Sequence, residues 1–257
     1  QQGAHSVVHE KGPPGAALSF NRRAGRLPVP DLVVAVQELG YLAAWNAFET
    51  VDDGFLAKAA LIELNKRVSK LDSEPWLDHL AGYKKKYPLG YKKQGGLRMQ
   101  QVIDELYKLT KGRAIIATDV GQHQMWAAQF YKTDAPHKWL SSGGAGTMGF
   151  GFPAAIGAQF ACPDALVVSI SGDGGFQMTM SELATAAIHK LPVKILIMDN
   201  AYLGMVRQWQ NMFFDNRLSG VDLEGNPDFV KLAAAYGIEG WHLKRTADID
   251  KILTKML

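Results

Sequence analysis

From Leu97 onward, apolar runs of strand length alternate with segments of helical spacing, and that alternation leaves few folds open to the chain. Met99, Val102, Ile103, Leu106 and Leu109 recur at helical spacing, and Lys111-Gly112 closes the element. Ala114-Ile115-Ile116-Ala117 reads as a buried strand ending at Thr118-Asp119. A short helix is expected from Gln124 to Tyr131, and another, rich in small residues, from Pro153 to Phe160. Leu166–Ile170 reads as a second strand and Val193–Met198 as a third. Between them, Thr179 and Glu182 spell a capping box opening a helix through His189. Asn226-Pro227 caps a helix to Tyr236, and Ile238–Leu243 reads as a fourth strand. Strands joined through helices pair in parallel, and a parallel sheet must be covered on both faces. The expected fold class is therefore α/β: a three-layer parallel sheet with helices on both faces, preceded by a poorly defined N-terminal segment.

Three parts follow from the punctuation. Residues 1–75 form an unassigned N-terminal segment. It opens irregularly with Gly12-Pro13-Pro14-Gly15 and Arg26-Leu27-Pro28-Val29-Pro30. It continues with the apolar run Leu32–Val36 and a helix near Ala57–Val68. Residues 76–96 read as a basic linker, with Lys84, Lys85, Lys86, Lys92 and Lys93 among Tyr83, Tyr87 and Tyr91. Basic residues among aromatics can mark a nucleic-acid surface. Here Pro88, Gly90, Gly95 and Gly96 interrupt them, which favours a solvated connection. Residues 97–257 are the α/β domain, incomplete at its C-terminal end.

A net charge of +3 gives no electrostatic reason to expect nucleic acid or a membrane as partner. No run of 18 apolar residues and no basic-then-apolar leader is seen, so a cytoplasmic protein is expected, or a plastid one in a photosynthetic eukaryote. The lone Cys162 excludes an intrachain disulfide and a cysteine-based zinc site.

In parallel sheets ligands bind beyond the carboxyl ends of the strands. Strand Leu166–Ile170 runs into Ser171-Gly172-Asp173-Gly174-Gly175, and strand Val193–Met198 into Asp199-Asn200-Ala201-Tyr202. Asn200 stands 27 positions after Asp173, about one strand–helix–strand circuit. Magnesium takes oxygen ligands in an octahedron that it shares with substrate phosphates. One carboxylate, one amide oxygen and one backbone carbonyl leave room for two phosphate oxygens and a water. Glycines at 172, 174 and 175 let backbone approach the phosphates. A lone Gly-Asp-Gly is a common turn; its pairing with Asp-Asn at the next strand end carries the signal. A rival is Gly144-Ala145-Gly146-Thr147-Met148-Gly149, which spells a dinucleotide fingerprint. Its acidic partner, Asp164, sits in a turn before a strand rather than at a strand end, which argues against that reading.

The Asp173 and Asn200 pair is similar to the thiamine diphosphate signature, Gly-Asp-Gly followed some two dozen residues later by Asn-Asn. Here Asp199 stands in place of the first Asn. Three further segments resemble the carboxyl-terminal domain of the acetolactate synthase (acetohydroxyacid synthase) family: Asp119–Trp126, Ser142–Gly151 and Leu203–Gln210. The Gly-Met-Val-x-Gln-Trp run in the last is the most specific, and pyruvate decarboxylases and oxidases do not share it. The resemblance implies magnesium held by Asp173, Asn200 and the backbone carbonyl of Tyr202. It implies cofactor contacts from Val120, Gly121, Gln122, His123, Gly146, Gly172, Gly174, Gly175, Leu203 and Gly204, with His123 donating to phosphate oxygens. Met148 would sit beneath the cofactor and hold it bent. Met205, Val206 and Trp209 would wall the substrate channel, and Met148, Met205 and Trp209 stand nearest the chemistry. Each has a plain structural alternative: methionines fill core gaps, tryptophan packs, and Asp119 and His123 can cap helices.

The implied activity is decarboxylation of pyruvate and transfer of the hydroxyethyl unit to a second 2-ketoacid, pyruvate or 2-ketobutyrate, towards branched-chain amino acids. The family's activating glutamate belongs to a separate pyrimidine domain that is not found in these residues, and its FAD-binding domain is not recognisable either. The expected role is thus part of a carboligase, inactive as this chain alone, which in a complete enzyme would be a homodimer or tetramer with a possible regulatory subunit. A non-catalytic cofactor-binding module and a different thiamine-dependent decarboxylase or oxidase are the alternatives.

Overall fold

The computed structural model describes residues 54–67, 73–92, 94–133 and 135–257. The Gly/Pro-rich stretches and the apolar run Leu32–Val36 lie outside them. The chain divides into two compact units, Gln1–Tyr83 and Lys84–Leu257. In the first, the described residues form helices α1 (Gly54–Arg67) and α2 (Glu74–Lys86), α2 running across the boundary. The expected linker over 76–96 is therefore helical as far as Lys86. The helix runs through Gly82 and stops before Pro88, and Glu74 in the first turn with Lys84, Lys85 and Lys86 in the last complement the helix dipole.

The second unit is built on a four-stranded sheet. Its elements run α3 (Met99–Thr110), β1 (Ile115–Thr118), α4 (Gln122–Phe130), β2 (Trp139–Ser141), α5 (Gly151–Ala161) and β3 (Val167–Gly172). They continue with α6 (Asp173–Thr179), a 3-10 turn Met180–Glu182, α7 (Leu183–Ile188), β4 (Lys194–Met198), α8 (Gly204–Phe213), α9 (Phe229–Ala235) and α10 (Ile249–Met256). The strand order is β2-β1-β3-β4 with every pair parallel. Register sets Thr118 opposite Ile170, and Gly172 opposite Met198, so the carboxyl ends finish side by side.

Alternation along each strand feeds two cores. Ile116, Val168, Ile170 and Met198 point to one face, under Val102, Ile103 and Leu106 of α3, Ala127 of α4 and Leu253 of α10. Ile115, Ala117 and Val167 point to the other, against α5. There Phe152 and Ile156 of α5 pack with Phe176 of α6, Leu183 of α7 and Phe229 of α9. This is the expected three-layer α/β arrangement. Among the described residues no helix is long and apolar enough to cross a membrane.

Several local expectations are corrected. The strand expected at Ile238–Leu243 is irregular, and the fourth strand is β2. Ile238 packs in the α5 layer and Leu243 in the α3 layer, so this alternating segment crosses between layers instead of pairing. The capping box does not form: Thr179 Oγ1 donates to the Gly149 carbonyl, and Glu182 accepts from Thr185. Asn226 does not cap α9; Asp228 does, accepting from the Val230 and Lys231 amides. Helix α4 begins at Gln122, two residues before the pattern predicts, and α6 starts directly at Asp173 where a loop is expected.

Leu253 is 1% exposed and anchors α10 to the β1–β3 face. Leu253→Ala is expected to lower unfolding free energy by about 2–5 kcal/mol, measured by urea denaturation, because it leaves a cavity in that buried cluster.

Candidate functional site

The chain passes from β1 to β2 on one side and returns through α5 to β3 on the other. The order reverses between the carboxyl ends of β1 and β3, and a crevice opens at such a switch point. A solvent-open cleft lies there. The β1 end lines it with Val120, Gly121, Gln122 and His123, and the β3 end with Gly172, Asp173, Gly174 and Gly175. Asn200, Tyr202, Leu203, Gly204, Met205 and Val206 come from the β4 end and the start of α8, and Met148 from the loop before α5.

The two strand ends are locked together before any ligand is considered. The His123 imidazole is buried, and its Nε2 accepts the Gly172 amide at 3.2 Å. A Cβ on Gly121 would stand 2.9 Å from the ring and one on Gly172 2.8 Å, so glycine is required on both sides. Gly121 also has φ 152° and ψ −162°, a backbone region open only to glycine. Burial pushes the imidazole down to about 4, with a partial opposing effect from a hydrogen bond to the Asp119 backbone. Asp119 is 1% exposed. Its Oδ1 accepts from the Val120 amide at 2.7 Å and the Gly149 amide at 2.8 Å, so it caps the approach to α5 rather than α4. The Phe150 and Gly151 amides face the same carboxylate, yet Oδ2 makes no hydrogen bond among the described residues, and burial raises the carboxyl despite these donors. A Cβ on Gly175 would fall on that Oδ2.

The oxygen donors read as metal ligands meet at one rim of the cleft. Asp173 opens α6 and is 2% exposed. No lysine or arginine among the described residues pairs with it; Asn226 Nδ2 donates to its Oδ2 at 2.7 Å and to Asp199 Oδ1 at 3.1 Å. Burial holds the Asp173 carboxyl above the usual carboxylate range; the Asn226 hydrogen bond opposes this, and the charge of Asp199 adds to it. Asn200 is half-buried, and its Oδ1 accepts the Tyr202 amide at 3.0 Å. Between them Ala201 turns with φ 56°, held by its own amide on Asp199 Oδ1 and by the Leu223 amide on its carbonyl. That left-handed turn is uncommon for alanine. It redirects the chain so that Tyr202 follows Asn200 along the rim.

Other expected residues are placed unevenly. Gln122 reaches α8, donating to Gln208 Oε1 at 2.8 Å, and a Cβ on Gly204 would strike Gln122 Oε1. Met205 and Val206 line the cleft. Trp209 does not: it is 56% exposed and packs edge-on against Phe213 on the outer face of α8. Gly146 is exposed on its loop and lies outside the cleft lining. His123, expected to donate to phosphate, spends its Nε2 as an acceptor. Asn226, Gln177 and Gln208 join the site without having been singled out, because no local pattern marks a residue delivered by a distant loop.

Residues 119–257 match the model of the thiamine pyrophosphate enzyme C-terminal TPP binding domain. The chain is 47% identical over 186 residues to the acetolactate synthase large subunit of Haemophilus influenzae, covering 72% of this chain and 32% of that protein. It is 45% identical over 214 residues to the chloroplastic acetolactate synthase of Arabidopsis thaliana, covering 78% of this chain and 32% of that protein. An acetolactate synthase of Mycobacterium bovis is 46% identical over 191 residues, 72% of this chain and 31% of its own length. The chain thus spans about a third of the length of these curated relatives.

The buried imidazole predicts a pH signature. Folding lowers the proton affinity of His123 from the ordinary 6.5 to about 4, so its contribution to stability is intact above pH 6.5 and is lost as pH falls towards 4. The full loss is about 3 kcal/mol. The buried carboxyls Asp119 and Asp173 slope the opposite way, so the difference from His123→Gln isolates the imidazole. That difference in unfolding free energy should shrink steadily from pH 6.5 to 4; parallel curves would show that His123 is not held neutral.

Proposed function

This chain belongs to the thiamine pyrophosphate enzyme family through its C-terminal TPP binding domain, and on that premise we propose that the switch-point cleft holds the diphosphate end of the cofactor with Mg2+ for an acetolactate synthase reaction. The carrying observation is Asp173: a buried carboxylate with no cationic partner among the described residues, beside the amide of Asn200 at the end of the next strand. Such a group is costly to bury unless a cation neutralises it. A donor set of one carboxylate, one amide oxygen and one backbone carbonyl suits a hard cation that keeps sites for phosphate oxygens. Glycines at 172, 174 and 175 stand where a Cβ would strike His123, Leu203 or Asp119, so this part of the cleft wall is backbone, which can approach a diphosphate closely.

Asp173, Asn200 and the Tyr202 carbonyl would hold Mg2+ against the diphosphate. Gly121, Gln122, Gly174 and Gly175 would bring backbone and amide donors to it, together with Val120, Gly172, Leu203 and Gly204. His123 acts through Gly172, fixing the amide-lined loop rather than donating to phosphate. Met148 and Met205 offer apolar surface on either side of the cleft, where an apolar ring can be gripped. Val206 continues that wall, and Trp209 extends it outward along α8, where it needs a cover from outside the described residues. Bound thiamine diphosphate supplies the carbanion chemistry that joins two 2-ketoacids, pyruvate with pyruvate or 2-ketobutyrate, as CO2 leaves.

No glutamate lines the cleft among the described residues. We therefore assign removal of the cofactor's proton to a pyrimidine-binding element beyond those residues, as in a homodimer or tetramer of the complete enzyme. FAD and a regulatory subunit belong to that complete enzyme in this reading, and no described residue is assigned to either. The compartment that goes with it is that of branched-chain amino acid synthesis, cytoplasmic or plastidic.

Two outcomes check the reading. Calorimetric titration with thiamine diphosphate should show binding that requires Mg2+ and is lost in Asp173→Ala; unchanged affinity in the variant refutes the ligand assignment. The 257-residue chain mixed with pyruvate, thiamine diphosphate and Mg2+ should form no acetolactate. Robust turnover would place the proton-removing group within this chain.

A further inference from the structure

Asn226 sits on the connection between α8 and α9, 53 positions after Asp173 and 27 after Asp199, and yet meets both carboxylates. We infer that Asn226 is a positioning residue of the cation site: its amide clamps Asp173 and Asp199 together and fixes how the Asp173 carboxylate is turned toward the metal. The inference rests on the cation reading of the cleft given above.

The orientation of the amide is fixed by its neighbours. A carboxylate can only accept, so Nδ2 must face the two aspartates and Oδ1 must face away. Oδ1 is met by Gln177 Nε2 at 2.8 Å, and the same Nε2 lies 3.3 Å from the Asp173 carbonyl. Every polar atom of the Asn226 side chain is thus engaged, and both of its directions are set by groups on α6 or at the β4 end. Of the two bonds to carboxylate, the one to Asp173 is shorter and goes to Oδ2 alone. Outer partners of this kind orient metal ligands and commonly change metal affinity by 10–100-fold when removed.

The clamp answers the second carboxylate at the β4 end. The cofactor signature has two asparagines at the β4 end, and here the first is Asp199. A second carboxylate beside Asp173 repels it, and a donor shared between the two offsets that repulsion. With an amide at position 199 the repulsion is absent and the clamp has less to hold.

The test is a double-mutant cycle on the full chain. Mn2+ is titrated in the presence of thiamine diphosphate, with free Mn2+ read by electron paramagnetic resonance and folding checked by circular dichroism. Asn226→Ala is expected to weaken Mn2+ binding by about 10-fold or more. The same change in an Asp199→Asn background should cost less than about 3-fold, a coupling that a merely structural asparagine would not show. Equal losses in both backgrounds, or wild-type affinity in Asn226→Ala, overturn the inference. If Asn226→Ala does not fold, Gln177→Ala takes its place: it removes the anchor on the far side of the amide, should weaken Mn2+ by several-fold, and overturns the inference if it leaves affinity unchanged. Failure of the wild-type chain to bind Mn2+ with the cofactor is a separate result: it sinks the cation reading itself, and this inference with it.

Discussion

The architecture of this unit depends on two strand ends approaching more closely than side chains ordinarily allow. At the carboxyl ends of β1 and β3, the His123 ring lies between Gly121 and Gly172, and Asp119 presses against Gly151 and Gly175. Neither contact survives the addition of a methyl group without displacement. Because β1 and β3 are adjacent and in register, these contacts fix where α4, α5 and α6 begin. The cleft is what remains between those helix starts. Its shape is therefore a consequence of backbone packing, set before any ligand arrives, and it has the rigid support that a binding constellation requires.

Electrostatics run against the fold at the same place. Asp119 and Asp173 are both buried, both held above the ordinary carboxylate range by burial, and neither has a cationic side chain as partner among the described residues. Their neutralisation differs. Asp119 is met by backbone amides at the start of α5, an internal solution that needs no ligand. Among the described residues Asp173 is met by the shared amide of Asn226 and the nearby Gly174 backbone, and Asp199 works against it. One carboxylate is thus neutralised from within the fold, and the other is the one proposed to take a cation, although each directly follows one of two neighbouring strands.

How much of this could be read from the sequence follows from the range of each interaction. The helices and central strands are legible because burial imposes their period locally, as in Val102, Ile103 and Leu106 of α3. Asp173 and Asn200 are legible because each directly follows an apolar run, so topology alone brings them to one edge. β2 escapes notice, since three half-buried residues at a sheet edge carry no period. Ile238–Leu243 misleads for the opposite reason: its apolar residues alternate to serve two different layers. Thr179 and Glu182 have the spacing of a capping box, but tertiary contact with Gly149 claims the threonine hydroxyl. Asn226 is beyond local reading, because its role exists only once α9 has packed against α6.

The same distinction of range explains why the site is unevenly furnished. Every oxygen donor assigned to the cation falls within one circuit from β3 to the turn after β4, so one folding unit supplies the whole set. The outer wall is different. Val206, Trp209 and Phe213 leave the cleft along α8 and stay 47%, 56% and 62% exposed. A helix that carries its apolar residues on the side away from its own core has that face available to another surface. The donors proposed for the cation all lie among the described residues, whereas the apolar residues of α8 are left exposed there. A cofactor with a diphosphate at one end and an aromatic ring at the other spans these two regimes. The division of labour proposed here, metal and diphosphate from these residues and proton removal from another element, follows that boundary.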